Sequence, residues 1–311
     1  MKFLFCNWLL ILFFLSFSAN SQVKNSSFQL SLKNDNDVYL LERSDRYYTN
    51  GVFVDFLMKL SKDTSKSTML AIEFGHRLYT GVKNEKDNKS YWDRKFAANI
   101  VLKSSVYRFI QENKIVRFSI QVDKVGPTAY GEDVQNFIHH LFRLYEIEGW
   151  ETELPNSIGI DLGIQYEQEF VKSRKGNFAI STNLSVVIGS HNKQASVGLP
   201  FRYGKLKAFN KSTFTKGNIN DNMGNNEFYI FYIPTLIYQV KNSIFADGSF
   251  LVGNAIRKNI LAPIVFSNQL GVTYAKNNSA LSFSITGYNN EIKNLKYNYH
   301  QYGSLSYSYR F

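Results

Sequence analysis

His139, Asp35 and Thr49 are the residues of this chain whose types suggest chemistry. A histidine, a carboxylate and a hydroxyl that meet at one place could carry out ester chemistry. The three residues are far apart in the sequence, so the elements that carry them have to bring them together. The fold that the sequence predicts therefore decides whether they form one site.

His139 lies in a short predicted helix. Apolar residues recur at helical spacing over residues 134–141, as Val134, Phe137, Ile138 and Leu141. Gln135 lies one turn before His139 on a neighbouring face. The surrounding sequence is typical of strands, so a lone helix with a histidine indicates a site more than a scaffold. His140 leaves open which of the two histidines matters.

Alternating apolar and polar residues run along most of the chain, with frequent Tyr and Phe. Long strands with one apolar and one polar face are typical of a transmembrane β-barrel. The prediction is an all-β protein, a twelve-stranded antiparallel transmembrane β-barrel with a short helix in the third outer loop. The predicted strands are 28–35, 47–60, 67–79, 93–107, 114–124, 156–171, 177–189, 194–206, 228–241, 264–276, 279–290 and 299–311.

The ends of the chain predict export. Residues 1–21 have the charged start, apolar core and small-residue cleavage site of a signal peptide, which leaves 22–311 as the barrel. Cys6, the one cysteine, lies in that segment, so a cleaved chain has no thiol chemistry. The last strand resembles the terminal strand that outer-membrane barrels present to the barrel-assembly machinery.

The net charge predicts an anionic partner. The formal charge is +11, and removal of Lys2 with the signal segment leaves 11 − 1 = +10. A basic exported protein usually meets a membrane surface, lipopolysaccharide or nucleic acid, and export argues against nucleic acid. Expected partners are therefore the outer membrane and its lipopolysaccharide.

The predicted topology places the chemical groups at one rim. Asn34 and Asp35 end the first outward strand, Thr49 begins the returning strand, and Arg94 begins the fourth. The His139 helix belongs to the third outer loop. Strict alternation predicts that Asp35 and Thr49 both face the lumen.

At this point the sequence resembles the lipid A 3′-O-deacylase (LpxR) family. The resemblance covers nearly the whole chain after residue 21 and keeps the family's order. It is carried by the stretch from Leu30 to Asn34-Asp35 with the stretch from Asp45 to Gly51, which contains Thr49, and by Val134-Gln135-Asn136 with His139 and Gly149-Trp150. The stretches 93–94, 125–127 and 189–204 are similar as well.

The resemblance implies a twelve-stranded outer-membrane barrel that removes the 3′-linked acyloxyacyl group of lipid A in a calcium-dependent reaction. The residues at the family's active-site positions are Asn34, Asp35, Thr49 and His139. The implied mechanism has neutral His139 take a proton from water, while Ca²⁺ stabilises the oxyanion. Asp35 and Asn34 are the implied calcium ligands. Tyr145 stands where a family glutamate is expected, so its neighbour Glu146 is a third candidate ligand.

The sequence also suggests candidate substrate contacts, and each site residue has a simpler structural interpretation. Gln135 is a candidate to steady His139, while Arg94 and Lys95 could contact the lipopolysaccharide phosphates or form part of a solvated loop face. Asn34-Asp35 alone is typical of a turn, and Thr49 alone of a strand. The alternative function is a non-catalytic barrel of the same ancestry with a structural, binding or transport role. A distance test between residues 35, 49 and 139 separates the two.

Overall fold

The computed structural model describes residues 27–40, 45–61, 66–86, 89–221, 226–246, 249–252, 255–258, 260–289, 291–293 and 295–311. The predicted signal peptide, 1–21, lies outside this part of the chain. Twelve barrel strands are numbered here in chain order. They are β1 (Phe28–Asn36), β2 (Tyr47–Lys59), β3 (Thr68–Thr80), β4 (Ala97–Gln111), β5 (Lys114–Val125), β6 (Ser157–Lys172), β7 (Phe178–Gly189), β8 (Asn192–Gly198 with Phe201–Lys205), β9 (Glu227–Asn242), β10 (Ile264–Lys276), β11 (Ser279–Asn289) and β12 (Tyr299–Arg310).

Each strand pairs antiparallel with its neighbours, and the sheet closes on itself. β12 pairs with β1 from Gln29 opposite Arg310 to Asn36 opposite Gly303. β8 has two segments that both lie between β7 and β9. Pro200 interrupts its ladder because proline has no N–H, yet the register against β9 continues across the break. Closure leaves no free edge in the barrel.

The two faces of the wall differ as the alternation predicts. The outward side chains of β2, such as Val52 and Val54, are apolar and exposed. Asp55, the next residue along the strand, points into the lumen and is buried. The same alternation recurs in β5, where Phe118, Ile120 and Val122 are exposed. A closed barrel with an apolar outer band and a polar interior is suited to a membrane. No helix in the described residues is long and apolar enough to cross a membrane.

The fourth strand begins later than the sequence predicts. It runs Ala97–Gln111 rather than 93–107, so Asp93 and Arg94 precede it in the loop. Phe109 is buried inside and Ile110 is exposed outside, so the alternation continues four residues past the predicted end. The turn between β4 and β5 is so short that no loop-like stretch of sequence marks the end of β4.

The third outer loop contains the predicted helix, α1 (Gly131–Phe142). It lies against the outer face of the wall rather than over the lumen. Its Val134 packs with Leu78, Ala98 and Ile100, which are outward-facing residues of β3 and β4. The carbonyl of Ala129, just before the helix, lies 2.9 Å from Nε2 of the outward-facing His76. The helix therefore borders the membrane side of the barrel.

The other outer loops carry short elements. They are a 3-10 turn at Asp37–Leu40, a hairpin of Lys83–Lys86 with Lys89–Trp92, a helical turn at Ser243–Ala246, a hairpin of Ser249–Val252 with Ala255–Lys258, and a pair of Ile260–Leu261 with Ile292–Lys293.

The long periplasmic connection between β8 and β9 folds into the barrel. Within residues 207–221, three 3-10 turns bury Phe209 and Ile219 against the lumen residues Leu57 and Met69. Lys216 Nζ lies 2.7 Å from Asp55 Oδ2 of the wall. We call residues 207–221 the plug, because they fill the periplasmic end of the lumen.

Candidate active site on the outer face of the wall

His139 and Gln135 of α1 meet Asp45, a carboxylate that lies in the family-like stretch 45–51 but to which the sequence assigned no role. His139 Nε2 lies 3.1 Å from Asp45 Oδ2, and Gln135 Nε2 donates to the same oxygen at 2.6 Å. The Gln135 Oε1 atom accepts from Trp150 Nε1 at 3.0 Å. Trp150 thus fixes the orientation of the Gln135 amide, and the amide holds Asp45 against the histidine.

The second ring nitrogen of His139 is also engaged. Nδ1 lies 2.8 Å from the carbonyl oxygen of Tyr145, and the Tyr145 ring stands edge-on to the imidazole at 4.8 Å. The chain turns back here because Arg143 adopts a left-handed conformation that ends the helix. Both nitrogens therefore face oxygen acceptors.

This arrangement favours the charged imidazolium. Burial lowers the pKa of His139, but the hydrogen bonds to Asp45 and to the Tyr145 carbonyl, with the charge of Asp45, outweigh it and raise the pKa above 6.5. Burial acts to raise the pKa of Asp45, but the hydrogen bonds and charge of His139 and the bonds from Gln135 and Thr49 outweigh it and lower the pKa. The two shifts favour the ionic form of the pair, which holds below the raised pKa of His139.

Thr49 joins this cluster because of a β-bulge. The register of β2 against β3 shifts between Tyr48 and Asn50, so one extra residue is inserted. Tyr48 turns into the lumen, and Thr49 Oγ1 donates to Asp37 Oδ2 at 3.0 Å beside Asp45. The prediction that Thr49 faces the lumen is wrong, because strict alternation fails at a bulge.

Asp35 faces the lumen, as alternation predicts. Its Oδ2 accepts from Tyr48 Oη at 2.7 Å and from Lys33 Nζ at 3.0 Å, and its Oδ1 accepts from Ser304 Oγ at 2.7 Å. Both carboxylate oxygens are thus engaged inside the barrel. The wall separates Asp35 from the His139 cluster, so the distance test fails for Asp35 and by itself favours the non-catalytic alternative.

Asn34 lies on the opposite face of β1 from Asp35. Its Oδ1 accepts from Tyr39 Oη at 2.8 Å, and its Nδ2 donates to the Gly51 carbonyl at 3.1 Å. Glu146 is an exposed residue of the loop after α1. The three predicted calcium ligands, Asn34, Asp35 and Glu146, do not converge. Among the described residues no group of three or more His, Cys, Asp or Glu side chains is arranged to hold a metal ion.

Arg94 is buried beneath the outer loops rather than presented to a ligand. It is 2% exposed, and its guanidinium donates to the carbonyls of Ile244 and Lys95 and stacks over the ring of Phe245. Burial lowers its pKa. The structure gives Arg94 a role in holding the Ser243–Ala246 turn over the lumen, while Lys95 is half-buried beside it.

A second histidine–carboxylate pair lies inside the lumen. His191 Nδ1 is 2.7 Å from Asp123 Oδ2, which also accepts from Asn99 Nδ2 at 2.9 Å. The sequence showed no periodic signal for His191 because it follows β7 in a short turn. The His139–Asp45 and His191–Asp123 pairs thus lie on opposite sides of the wall.

The family model described as "Outer membrane protein LpxR" matches residues 6–311 of this chain. The chain belongs to the LpxR family. Among solved structures, LpxR from Salmonella typhimurium is similar, with 17% sequence identity, a TM-score of 0.74, and coverage of 91% of this chain and 100% of that chain. The comparison with curated proteins finds no match.

Two autotransporter barrels are similar at a lower level. The translocator domain of NalP from Neisseria meningitidis is 8% identical with a TM-score of 0.42, and covers 95% of this chain and 91% of its own. The transport unit of AIDA-I from Escherichia coli is 11% identical with a TM-score of 0.44, and covers 97% and 96%.

Membership of the LpxR family confirms three predictions made from the sequence. The family resemblance, the twelve-stranded antiparallel barrel with a short helix and the outer-membrane location are all confirmed. The roles of individual LpxR-family site residues in this chain remain predictions. In the structure, three of the predicted residues, His139, Gln135 and Thr49, lie in one cluster. Two further carboxylates, Asp45 and Asp37, belong to the same cluster.

Proposed function

We propose that this LpxR-family barrel is a hydrolase that removes the 3′-linked acyloxyacyl chain of lipid A. The observation that carries the proposal is the His139–Asp45 pair, held at 3.1 Å on the outer face of the wall by α1. Lipid A is an outer-leaflet lipid, and an acyl ester at that level meets the outer face of the barrel rather than its lumen. Family membership supports the same substrate class.

In the proposed reaction His139 is the general base. The Tyr145 carbonyl keeps the proton on Nδ1, so Nε2 is the nitrogen that exchanges protons. Above the pKa of His139, the lone pair of Nε2 faces the Asp45 carboxylate, and a water molecule that donates one hydrogen bond to each of these acceptors relieves the repulsion. The same two acceptors then orient that water for attack.

The proton transfers balance within the pair. Nε2 takes a proton from the water as its oxygen attacks the ester carbonyl carbon, and a tetrahedral oxyanion forms. On collapse, the bond to the sugar-side oxygen breaks and Nε2 returns the proton to that oxygen. The products are a free carboxylic acid and a sugar hydroxyl. Asp45 stays ionised throughout and stabilises the transient imidazolium.

The proposed reaction includes a requirement for Ca²⁺, because the family resemblance implies one. The residues that would hold the ion are Asp37 and Asp45, because both carboxylates adjoin Thr49 in the His139 cluster. Carboxylate and hydroxyl oxygens are the donors that Ca²⁺ prefers, and two carboxylates leave most of its six to eight positions to other oxygens. A bound Ca²⁺ would supply positive charge for the developing oxyanion.

The transport alternative is disfavoured by the plug. Ser67 Oγ donates to Asn220 at 2.8 Å, Asn218 donates to Gln29 at 2.8 Å, and Arg310 donates to the carbonyl of Asp221 at 3.1 Å. A cavity of about 80 Å³ between Phe214–Lys216 of the plug and the wall has room for a few water molecules. The plug therefore argues against an open pore through the lumen.

Assembly completes the proposal. β12 ends at Arg310, and the following Phe311 is exposed and stacks on Phe28 with ring centroids 5.9 Å apart. We infer that this aromatic C-terminal strand is the segment that the barrel-assembly machinery recognises.

The function is tested by mass spectrometry of lipid A from an outer-membrane host that expresses this chain. His139→Ala is the test variant, and His140→Ala is its matched control because His140 is exposed and next in sequence. Loss of a 3′ acyloxyacyl mass with the natural chain and the control, but not with His139→Ala, supports the proposal. Unchanged lipid A from a folded natural chain contradicts it. Repeating the assay with a chelator and with added Ca²⁺ tests the calcium requirement.

A further inference from the structure

The helix that carries His139 has one apolar side that the protein does not cover. Phe137 is 67% exposed and Leu141 is 61% exposed, although they lie one turn apart on the same side of α1. Large apolar side chains left exposed together usually mark a surface that meets a partner. Val134 and Ile138, on the same side, are half-buried. We call Val134, Phe137, Ile138 and Leu141 the apolar flank.

The rest of the helix is polar where it is exposed. Glu132, Asp133, Asn136 and His140 are all exposed. Gln135 and His139 are buried against the wall and the Asp45 loop. A helix with one apolar side, one polar side and one docked side is suited to lie in a membrane interface with its apolar side in lipid.

The position of the helix on the wall sets the direction of this flank. Val134 packs against the buried cluster that contains Ala98, and β4 runs from Ala98 through Ile100 towards the periplasm. The next outward residue, Leu102, is 53% exposed and belongs to the lipid-facing band, as does Phe74 on β3. The apolar flank is therefore continuous with the surface of the barrel that already contacts hydrocarbon.

We propose that the apolar flank of α1 is an acyl-chain docking surface that seats the hydrocarbon of an outer-leaflet lipid on the membrane side of the helix that carries His139. This inference rests on the proposed function for the identity of the lipid and extends it to the residues that select long chains. Phe137 and Leu141 lie two residues before and after His139, which is about 3 Å along the helix axis and about 160° around it. A chain packed along them therefore holds its lipid against the turn of α1 that carries His139, from the membrane side of the helix. Binding energy from the chain then positions the ester.

The first experiment measures lipid contact without any catalysis. Phe137→Trp and the matched control Asn136→Trp are reconstituted in phosphatidylcholine vesicles with dibrominated acyl chains, and quenching is compared after subtraction of the natural tryptophan signal. Asn136 lies about 100° around the helix from Phe137. The expected result is quenching at position 137 that exceeds that at position 136 by about twofold or more. Equal quenching overturns the inference.

The second experiment measures chain selection. The double variant Phe137→Ser/Leu141→Ser and the control Asn136→Ser are assayed in detergent on a long-chain and a short-chain 4-nitrophenyl ester. The expected result is a KM for the long-chain ester raised about tenfold or more, with the short-chain ester unaffected. Equal losses on both esters, or no loss on either, overturn the inference.

The outcomes distinguish this inference from the proposed function. If the natural chain hydrolyses neither ester nor lipid A while Phe137→Trp is strongly quenched, the deacylase proposal fails and the lipid-docking surface stands. If lipid A is deacylated but the flank variants behave as the natural chain does, the function stands and the surface is overturned.

Discussion

His139 Nε2 and Asp45 Oδ2 lie 3.1 Å apart on the outer face of the barrel wall, whereas Asp35 lies on the lumen face. The loop before β2 supplies Asp45, and α1 supplies the histidine. Because α1 packs on outward residues of β3 and β4, the pair opens towards the membrane. The location of this pair is the basis of the predictions below.

Activity should be lost as the pH falls through the raised pKa of His139. The base has to be neutral, and Asp45 holds the pKa above 6.5, so the acidic limb of the rate profile is expected above pH 6.5. Asp45→Asn removes the carboxylate, so the limb should move to lower pH while kcat falls about tenfold or more. A pH profile of kcat for both chains is the measurement, and an unmoved limb would contradict the pairing.

Thr49 should contribute through its hydroxyl and not through its size. Thr49→Val keeps the β-branched shape but removes one hydrogen bond to the buried Asp37 carboxylate, a cost of about 0.5–1.5 kcal/mol. Deacylation should fall, and Thr49→Ser should retain most of it. Melting of the barrel by circular dichroism serves as the control for folding. Equal activity of the Val and Ser variants would show that the hydroxyl has no role.

The contact of α1 with the wall should depend on Gly131. A Cβ at this position would overlap the Trp150 ring and the Ala98 side chain. Gly131→Ala is therefore expected to push the helix from the wall at a cost of about 1–3 kcal/mol, with loss of activity in an otherwise folded barrel. Limited proteolysis within residues 131–146 should accelerate. Glu132→Ala, at the next and exposed position, should behave as the natural chain does.

The plug should keep the barrel closed to ions. The natural chain is expected to show no channel conductance in planar bilayers, because residues 207–221 are bonded to the wall through Asp55, Gln29 and Ser67. Replacement of 208–220 with a Gly-Ser linker should open a conducting lumen. Heat-modifiable migration in gels checks that the variant is folded. Conductance by the natural chain at the level of the linker variant would show that the plug does not seal.

Much of the fold could be predicted because strand periodicity is a local property. Val52 and Val54 alternate with Phe53 and Asp55, and that pattern by itself separates the lipid face from the lumen face. The sequence-based predictions are wrong where the alternation of apolar and polar residues gives no information. β4 extends to Gln111, beyond its predicted end, because the turn that follows is tight. Thr49 faces outward, against the prediction, because a bulge inserts one residue into β2.

The candidate site was predicted only in part. His139 and Gln135 followed from helical spacing and family resemblance, and the structure places them together. Asp45 carried no periodic signal, because it lies in a loop where residue type alone does not indicate direction. Arg94 was proposed as a substrate contact from its place beside a basic loop, yet it is buried under the Ser243–Ala246 turn.

The sequence by itself determined a barrel, its number of strands and the existence of one helix, because these depend on the spacing of apolar residues along the chain. Only the tertiary structure decided on which side of the wall the chemistry lies. That side depends on how α1 packs against Leu78 and Ala98, and on a bulge that turns one hydroxyl. Both are contacts between segments far apart in sequence, which no local pattern encodes.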